Sequence, residues 1–146
     1  MVRRMVMAAA AFALLGCVPA GTGAADPAPA TGASIVRIGE EVRLGGLAVR
    51  ALRLVEDSRC PLSVQCVHAG TVRLAVRLTE GGRTREAVLR IETPEPVAGG
   101  RYLWLVAACP VPREPGAQPP AGAYHFLVGA GANMTEVPLD HSCGPA

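Results

Sequence analysis

Cys60 and Cys66 form a pair of residues whose type and spacing could support chemistry. Five residues separate the two thiols, and His68 follows the second cysteine by two positions. Thiolate and imidazole are zinc ligands, but this gap exceeds the about two to four residues usual between paired zinc cysteines. The chain contains no C-x-x-C, the spacing of thioredoxin-type redox centres. The spacing therefore favours a structural pair of cysteines over a metal or redox site.

A second candidate for metal chemistry lies towards the end of the chain. His125, Met134 and His141 offer imidazole and thioether ligands, which suit copper(I). Their spacing matches no established copper motif. They are weak metal candidates, and no cofactor is predicted.

Acid–base catalysis would require one of the three histidines, acting with a serine as nucleophile. No serine lies in a G-x-S-x-G context, the turn that exposes the nucleophile of an α/β-hydrolase. The sequence does not single out a carboxylate that would complete a triad. The chain is therefore predicted not to be an enzyme. The residues that such a site would draw on are His68, His125, His141, Ser58, Ser63 and Ser142.

Residues 1–16 have the composition of a signal peptide. Arg3 and Arg4 precede an apolar run over 5–15, which is shorter than the about 20 residues that a membrane-spanning helix needs. The run ends in Leu14-Leu15-Gly16-Cys17, which resembles the lipobox of bacterial lipoproteins. The resemblance implies cleavage before Cys17, a diacylglyceryl group on its sulfur and acylation of its nitrogen, typically with palmitate. The alternative is an ordinary secretory signal followed by an incidental cysteine.

The residue after Cys17 bears on the destination of such a lipoprotein. It is Val18, whereas aspartate at that position is the usual inner-membrane retention signal in Gram-negative lipoproteins. The resemblance therefore implies anchoring in the outer membrane, with the domain facing the periplasm. Because a buried methylene contributes about 0.8 kcal/mol, two or three acyl chains suffice for stable anchoring. The membrane is thus the first expected partner.

The charge of the mature chain argues against nucleic acid as a partner. Removing Arg3 and Arg4 from the 14 basic residues leaves 12, which equals the 12 acidic residues. All basic residues are arginine, and the chain has only one Trp, two Tyr and two Phe. Single-strand binding needs a positive groove and aromatic stacking platforms, and both are missing from this composition.

Composition divides the mature chain into two parts. Residues 17–34 comprise the lipidated Cys17 and a stretch of almost only Ala, Gly, Pro and Thr, which is typical of a disordered, flexible tether. Residues 35–146 carry the apolar content and are expected to form one disulfide-bonded β domain.

The clearest strand lies over 72–78, where apolar residues alternate with Arg73, Ala75 and Arg77. Gly81-Gly82 then favours a two-residue hairpin turn, since both central residues of such a turn need positive φ. In the resulting register Arg77 faces Glu86 on the outer side of the hairpin. Arg50 and Arg53 are three residues apart, which indicates a β-bulge or two half-strands over 47–56.

The remaining pattern is that of an all-β protein. No stretch shows helical periodicity with caps, and residues 93–100 and the five-proline segment 110–122 are expected to be loops. About seven short strands joined by Pro/Gly-rich connections predict an immunoglobulin-like β-sandwich, with a small β-barrel as the alternative. The expected strands cover 34–38, 41–44, 47–56, 72–78, 84–91, 102–107 and 123–128.

Four cysteines remain once Cys17 is assigned to lipid, and an oxidising compartment favours two disulfides. Three pairings are possible. We favour Cys60–Cys66, which closes a small ring, and Cys109–Cys143, which would tie a core strand to the tail.

The segment around the first two cysteines resembles a group of small, uncharacterised bacterial envelope proteins with a D-S-R-C-P-x-x-V-x-C-x-x-x-G signature. The group often has Trp where this chain has His68. The resemblance implies a secreted β domain with a small disulfide loop, and it implies no activity. The matching residues are Asp57, Ser58, Arg59, Cys60, Pro61, Val64, Cys66 and Gly70.

Two sets of polar residues are candidates for ligand contact. Asp57 and Arg59 either stabilise the loop or bind a ligand, and His68 is a further candidate for ligand contact. An outward sheet face is expected to carry Arg73 and Arg77, with Arg90 and Arg53, and could bind an anionic surface component.

We expect a lipid-anchored, non-enzymatic binding or structural domain of the cell envelope, whose partner is an envelope protein or an anionic surface component. The alternatives are a periplasmic copper-binding protein and an inhibitor of an envelope or secreted hydrolase.

Overall fold

The computed structural model describes residues 32–136 and shows eight β-strands. The predicted signal peptide, Cys17, His141 and Cys143 lie outside the described residues. Short 3₁₀ turns occur at Ala98–Gly100, Ala121–Ala123 and Met134–Glu136. The strands are β1 (Gly32–Arg37), β2 (Glu41–Leu44), β3 (Leu47–Asp57), β4 (Val72–Glu80), β5 (Arg83–Arg90), β6 (Glu95–Val97), β7 (Arg101–Cys109) and β8 (His125–Gly131).

The strands form two antiparallel sheets of four strands each, in the orders β1-β8-β7-β6 and β2-β3-β4-β5. The sheets pack together without closing into a barrel, so the predicted all-β sandwich is confirmed. Within each sheet, consecutive strands are mostly hydrogen-bonded neighbours, with β1 added beside β8. Immunoglobulin domains instead connect many neighbours across the two sheets. This sandwich is therefore built from two meanders.

The hairpin of β4 and β5 has the register predicted from the alternating pattern. Arg77 lies opposite Glu86 across the hairpin. Gly81 and Gly82 connect the strands with φ values of 56° and 75°, as a two-residue turn with two left-handed positions requires. One face of the hairpin is thereby committed to the interior.

Strand β3 is a single strand with two irregularities, so the bulge interpretation is confirmed. Its 11 residues pair with the nine of β4, and the register shifts between Ala51 and Arg53 and again between Leu54 and Glu56. Each extra residue resets the alternation of side chains. As a result Arg53 faces outward and Asp57 faces the interior of the sandwich.

The core lies between the sheets and is aliphatic apart from two stacked aromatic rings, Tyr124 and Phe126, whose centroids are 5.8 Å apart. Apolar side chains on the inner faces of both sheets fill the remaining volume between the sheets. The fully buried aliphatic side chains include Val36, Leu47, Val49, Val72, Leu74, Val76, Leu89, Leu103, Leu105 and Val128.

Two predicted boundaries differ from the structure. Residues 93–100 were expected to be a loop but contain β6, in which Pro96 lies opposite Tyr102. An edge strand tolerates proline because one side of its backbone has no ladder partner. The predicted tether ended at Ser34, but β1 begins at Gly32 because Gly32 already pairs with Ala130.

Candidate binding surfaces

The predicted contact residues Asp57 and Arg59 form a buried ion pair. The Asp57 side chain has 0% exposed surface and that of Arg59 has 13%. Arg59 Nε donates to Asp57 Oδ1 at 2.8 Å, and Nη2 donates to Oδ2 at 2.6 Å, which is the bidentate geometry that matches guanidinium to carboxylate. The backbone N–H of Arg59 adds a third bond to Oδ1, at 3.2 Å.

The same pair joins three segments of the fold. Arg59 also donates to the backbone oxygens of Ala108 and of Pro110, the latter at 2.9 Å. Tyr124 Oη donates to Asp57 Oδ2 at 2.8 Å, and Gln118 Nε2 donates to the backbone oxygen of Asp57 at 2.8 Å. We call Asp57, Arg59, Gln118 and Tyr124 the buried clamp. It fixes the end of β3 to β7, to the residue that precedes β8 and to the proline-rich segment between β7 and β8.

Burial and hydrogen bonding shift the pKa values of two groups in the buried clamp, Asp57 and Tyr124. Burial alone would raise the pKa of Asp57, but the hydrogen bonds from Arg59 and Tyr124 outweigh it and lower that pKa below its ordinary value. Burial, together with the bond to ionised Asp57, raises the pKa of Tyr124 to about 12. Asp57 therefore stays ionised and Tyr124 stays neutral, and the side chains of both residues are hydrogen-bonded to other residues of the fold. This favours the loop-stabilising interpretation of Asp57 and Arg59.

The ring closed by Cys60 and Cys66 confirms the first predicted disulfide, with Cα atoms 5.8 Å apart. We call residues 60–66 the disulfide loop. Leu62 N donates to the backbone oxygen of Pro112, and Ser63 N donates to that of Arg113, each at 3.0 Å. The disulfide loop is thus held by its own covalent bond, by the buried clamp and by a neighbouring loop.

Gly70 completes the base of the disulfide loop. Its φ is +70°, and a Cβ at this position would lie 1.8 Å from the backbone oxygen of Ser58. Ser58 N in turn donates to the backbone oxygen of Thr71 at 2.9 Å. Only glycine allows the two arms of the loop to approach this closely.

Apolar side chains point outward from this fixed segment. Leu62 is 68% exposed, Val64 42% and Val67 94%, and His68 beside them is also exposed. We call Leu62, Val64 and Val67 the apolar tip. A group of exposed apolar residues on a well-held loop is typical of a contact surface for another macromolecule.

The outer face of the β2-β3-β4-β5 sheet carries the predicted arginines. In adjoining rows, Arg50 lies opposite Arg77, Arg53 opposite Ala75, and Arg73 opposite Arg90. We call these five arginines the arginine face, and the expectation that Arg73, Arg77, Arg90 and Arg53 share one face is confirmed.

Acidic neighbours neutralise only part of the arginine face. Arg77 pairs with Glu86 at 3.0 Å, and Arg73 pairs with Glu56 at 3.5 Å. Among the residues that the structure describes, the other three arginines of the face have no acidic partner within 4 Å. An excess of guanidinium groups without acidic partners on one sheet face is suited to anionic groups.

The remaining predicted site residues are dispersed. His125 is half-buried in β8, and Met134 lies in the last 3₁₀ turn. Within residues 32–136, no group of three or more His, Cys, Asp or Glu side chains is arranged to hold a metal ion. Cys109 is disulfide-bonded, while its predicted partner Cys143 lies outside the described residues, so that pairing stays a prediction.

Sequence reasoning did not find Gln118 or Tyr124. They lie 61 and 67 residues after Asp57 in the chain, so no local pattern connects them to it. The one available signal is general: a tyrosine in an apolar strand needs a hydrogen-bond acceptor for its hydroxyl group when the ring is buried.

The chain matches no family model, and no significant match is found among curated proteins or solved structures. Residues 32–136 contain no helix with the length and apolarity needed to span a bilayer.

Proposed function

We propose that the protein is a lipid-anchored cell-envelope protein whose β-sandwich is a non-enzymatic binding domain, and that the apolar tip contacts a protein partner. The lipobox-like segment supports the anchor and the envelope location. One observation supports the binding role. The backbone of the disulfide loop is fixed by the disulfide, by the buried clamp and by a neighbouring loop, yet the side chains of the apolar tip are exposed to solvent.

This matters because a loop that has to become ordered on binding loses conformational entropy, and that loss lowers the affinity. Immobilising one long interface side chain costs about 0.5–1.5 kcal/mol, and ordering the loop backbone costs more. In this protein the disulfide and the bonds to Pro112 and Arg113 have ordered the backbone before any partner arrives. Burial of Leu62 and Val64, which lie within the disulfide loop, would then contribute directly to affinity, and Val67, which follows the loop, would add apolar area.

The test is photocrosslinking in intact cells. A benzophenone amino acid at Val67 is expected to capture a discrete protein partner, and Leu62→Asp in the same chain is expected to abolish the capture. Arg43, an exposed residue of β2, serves as the matched control position. Equal capture from Val67 and Arg43, or none from Val67, would count against a protein partner at the apolar tip.

The arginine face supports a second candidate function, binding of an anionic surface component. The observation that favours it is that Arg50, Arg53 and Arg90 lack acidic partners among the described residues. Binding to vesicles containing lipopolysaccharide is expected to weaken with salt and to weaken further in Arg53→Gln/Arg90→Gln. Binding that is insensitive to salt and to this double substitution would exclude the arginine face.

The two other functions named from the sequence remain proposals with simple tests. If the partner captured at Val67 is a secreted or envelope hydrolase, inhibition of that enzyme by the purified chain would identify an inhibitor. One equivalent of copper on protein purified without chelator, lost in His125→Ala, would identify a copper protein instead.

The lipid anchor has its own test. Cys17→Ser is expected to abolish incorporation of labelled palmitate and to release the protein from the membrane fraction. Full labelling of the variant would exclude Cys17 as the lipidated residue.

A further inference from the structure

A cleft lies at the end of the sandwich opposite the disulfide loop, where β5 begins and β6 ends. Its volume is about 410 Å³, within the range of about 300–1,000 Å³ typical of small-molecule sites. The cleft lies beside the Gly81-Gly82 turn and takes no part in the proposed binding surfaces. Its lining residues on the apolar side are Leu47, Leu78, Pro96, Val97 and Ala98.

The walls of this cleft are mainly apolar. Leu47 and Leu78 are core residues of β3 and β4, and Val97 is partly buried against the core from β6. Leu47 and Leu78 are only 1% and 2% exposed and form the floor of the cleft, so a ligand would meet mainly the hydrocarbon surface of Pro96, Val97 and Ala98. Such a surface favours an apolar ligand body.

Most charged groups around the cleft are already paired with one another. Glu80 accepts from Arg101 Nη2 and, at 2.7 Å, from the backbone N–H of Ala98. Arg85 donates to Glu95 at 2.6 Å and to the backbone oxygen of Pro96 at 2.7 Å. These two ion pairs leave no net charge of their own.

Arg83 is the exception. It lines the cleft and has no acidic partner within 4 Å among the described residues, since its cross-strand neighbour Glu80 is used by Arg101. The cleft thus combines apolar walls with one uncompensated guanidinium group at its rim. A guanidinium group binds a carboxylate through two parallel hydrogen bonds.

We propose that this cleft binds an amphipathic monoanion, a short alkyl chain that ends in a carboxylate. The alkyl chain packs against Pro96, Val97 and Ala98, above the floor formed by Leu47 and Leu78, and the carboxylate accepts hydrogen bonds from Arg83. A single unpaired arginine matches a monoanion in charge, whereas an uncharged amphiphile leaves the guanidinium group without a partner.

The test compares octanoate with its uncharged analogue octanamide by ¹⁵N NMR titration of the purified full-length chain. Octanoate is expected to shift the amide signals of Thr84 and Val97, which line the cleft. Arg83→Gln is expected to weaken octanoate about three- to tenfold, as loss of one charge-assisted contact implies, and to leave octanamide unaffected. Ala98→Trp, which places a large ring in the cleft from an exposed position, is expected to abolish both.

Arg37→Gln is the matched control because it also removes an exposed arginine whose side chain has no acidic partner within 4 Å among the described residues, in β1 of the other sheet. The proposal is overturned if octanoate shifts no signal at the cleft or if octanoate and octanamide bind equally well. It is also overturned if Arg37→Gln weakens octanoate binding as much as Arg83→Gln does. Both variants replace exposed side chains and are expected to fold like the native chain. The spectrum of each variant without ligand is therefore the reference for its own titration.

Discussion

Arg59→Ala tests whether the buried clamp stabilises the fold. The substitution removes the donors at 2.6 and 2.8 Å from the Asp57 carboxylate and the bonds to Ala108 and Pro110. Arg77→Ala is the matched control because it removes the same side chain from an ion pair at 3.0 Å on the outer face.

Burial sets the difference in magnitude between these two variants. The Asp57 side chain has 0% exposed surface, whereas the side chains of Arg77 and Glu86 are 47% and 63% exposed. Removing one partner of a buried pair costs about 3–5 kcal/mol, because the other charge stays buried without compensation. An exposed pair contributes about 0–1 kcal/mol. Since domains are stable by about 5–15 kcal/mol, Arg59→Ala should remove a large part of the free energy of unfolding.

The effect of pH gives an independent check on the cause. In the native protein the lowered pKa of Asp57 contributes stability above the unfolded value of about 3.9, and this contribution is lost as pH falls through the folded pKa. Without Arg59, burial is less compensated and the pKa of Asp57 rises. The stability deficit of Arg59→Ala should therefore be largest near neutral pH and shrink as pH falls and the carboxyl group takes up a proton.

The assay is urea unfolding at several pH values with the disulfides intact. We expect a loss of about 3–5 kcal/mol for Arg59→Ala and of under about 1 kcal/mol for Arg77→Ala at pH 7. Equal losses in the two variants, or a deficit that does not change between pH 7 and pH 4, would refute the reasoning from burial.

Three further substitutions test neighbouring features. Gly70→Ala should destabilise the protein and disorder the disulfide loop, because the new Cβ would lie 1.8 Å from Ser58 O at φ +70°; an unchanged melting temperature would contradict this. Tyr124→Phe should cost about 1–3 kcal/mol by removing a donor to the buried carboxylate. It should also flatten the fall in stability above pH 10, since the folded pKa of Tyr124 is raised to about 12; a fall in stability as steep as in the native protein would exclude that contribution. Cys60→Ser/Cys66→Ser should cost about 2 kcal/mol on the chain-entropy model and expose the loop to protease; resistance equal to that of the native protein would show that hydrogen bonds alone hold the loop.

Local patterns determined which features could be predicted from the sequence. Alternation and a Gly-Gly turn specify the register of the β4–β5 hairpin, and that register places the arginines on one face. The disulfide between Cys60 and Cys66 could be predicted because the two cysteines are only six positions apart in the chain. Strand β6 was missed because Pro96 is normally excluded from a paired strand, whereas an edge strand tolerates it.

The buried clamp could be predicted only in part. The contact between Arg59 and Asp57 is local, and the sequence indicated it. The contribution of Tyr124 depends on how β8 packs beside the end of β3, which is a property of the whole sandwich. The inward direction of Asp57 likewise depends on two bulges whose positions are set by pairing with β4.

The two extra residues of β3 affect how this chain should be aligned with others. Leu52 and Val55 have no opposite residue in β4, so losing either one would leave every paired residue facing the same side as before. Losing Arg53 instead would place Leu52 opposite Ala75, so the segment that ends at Asp57 would keep its frame but lose one arginine from the outer face. Alignment scoring that penalises gaps inside strands would therefore misplace homologues that lack one of these unpaired residues. Such homologues would be aligned more reliably if the alignment were anchored on Asp57, which follows both unpaired residues.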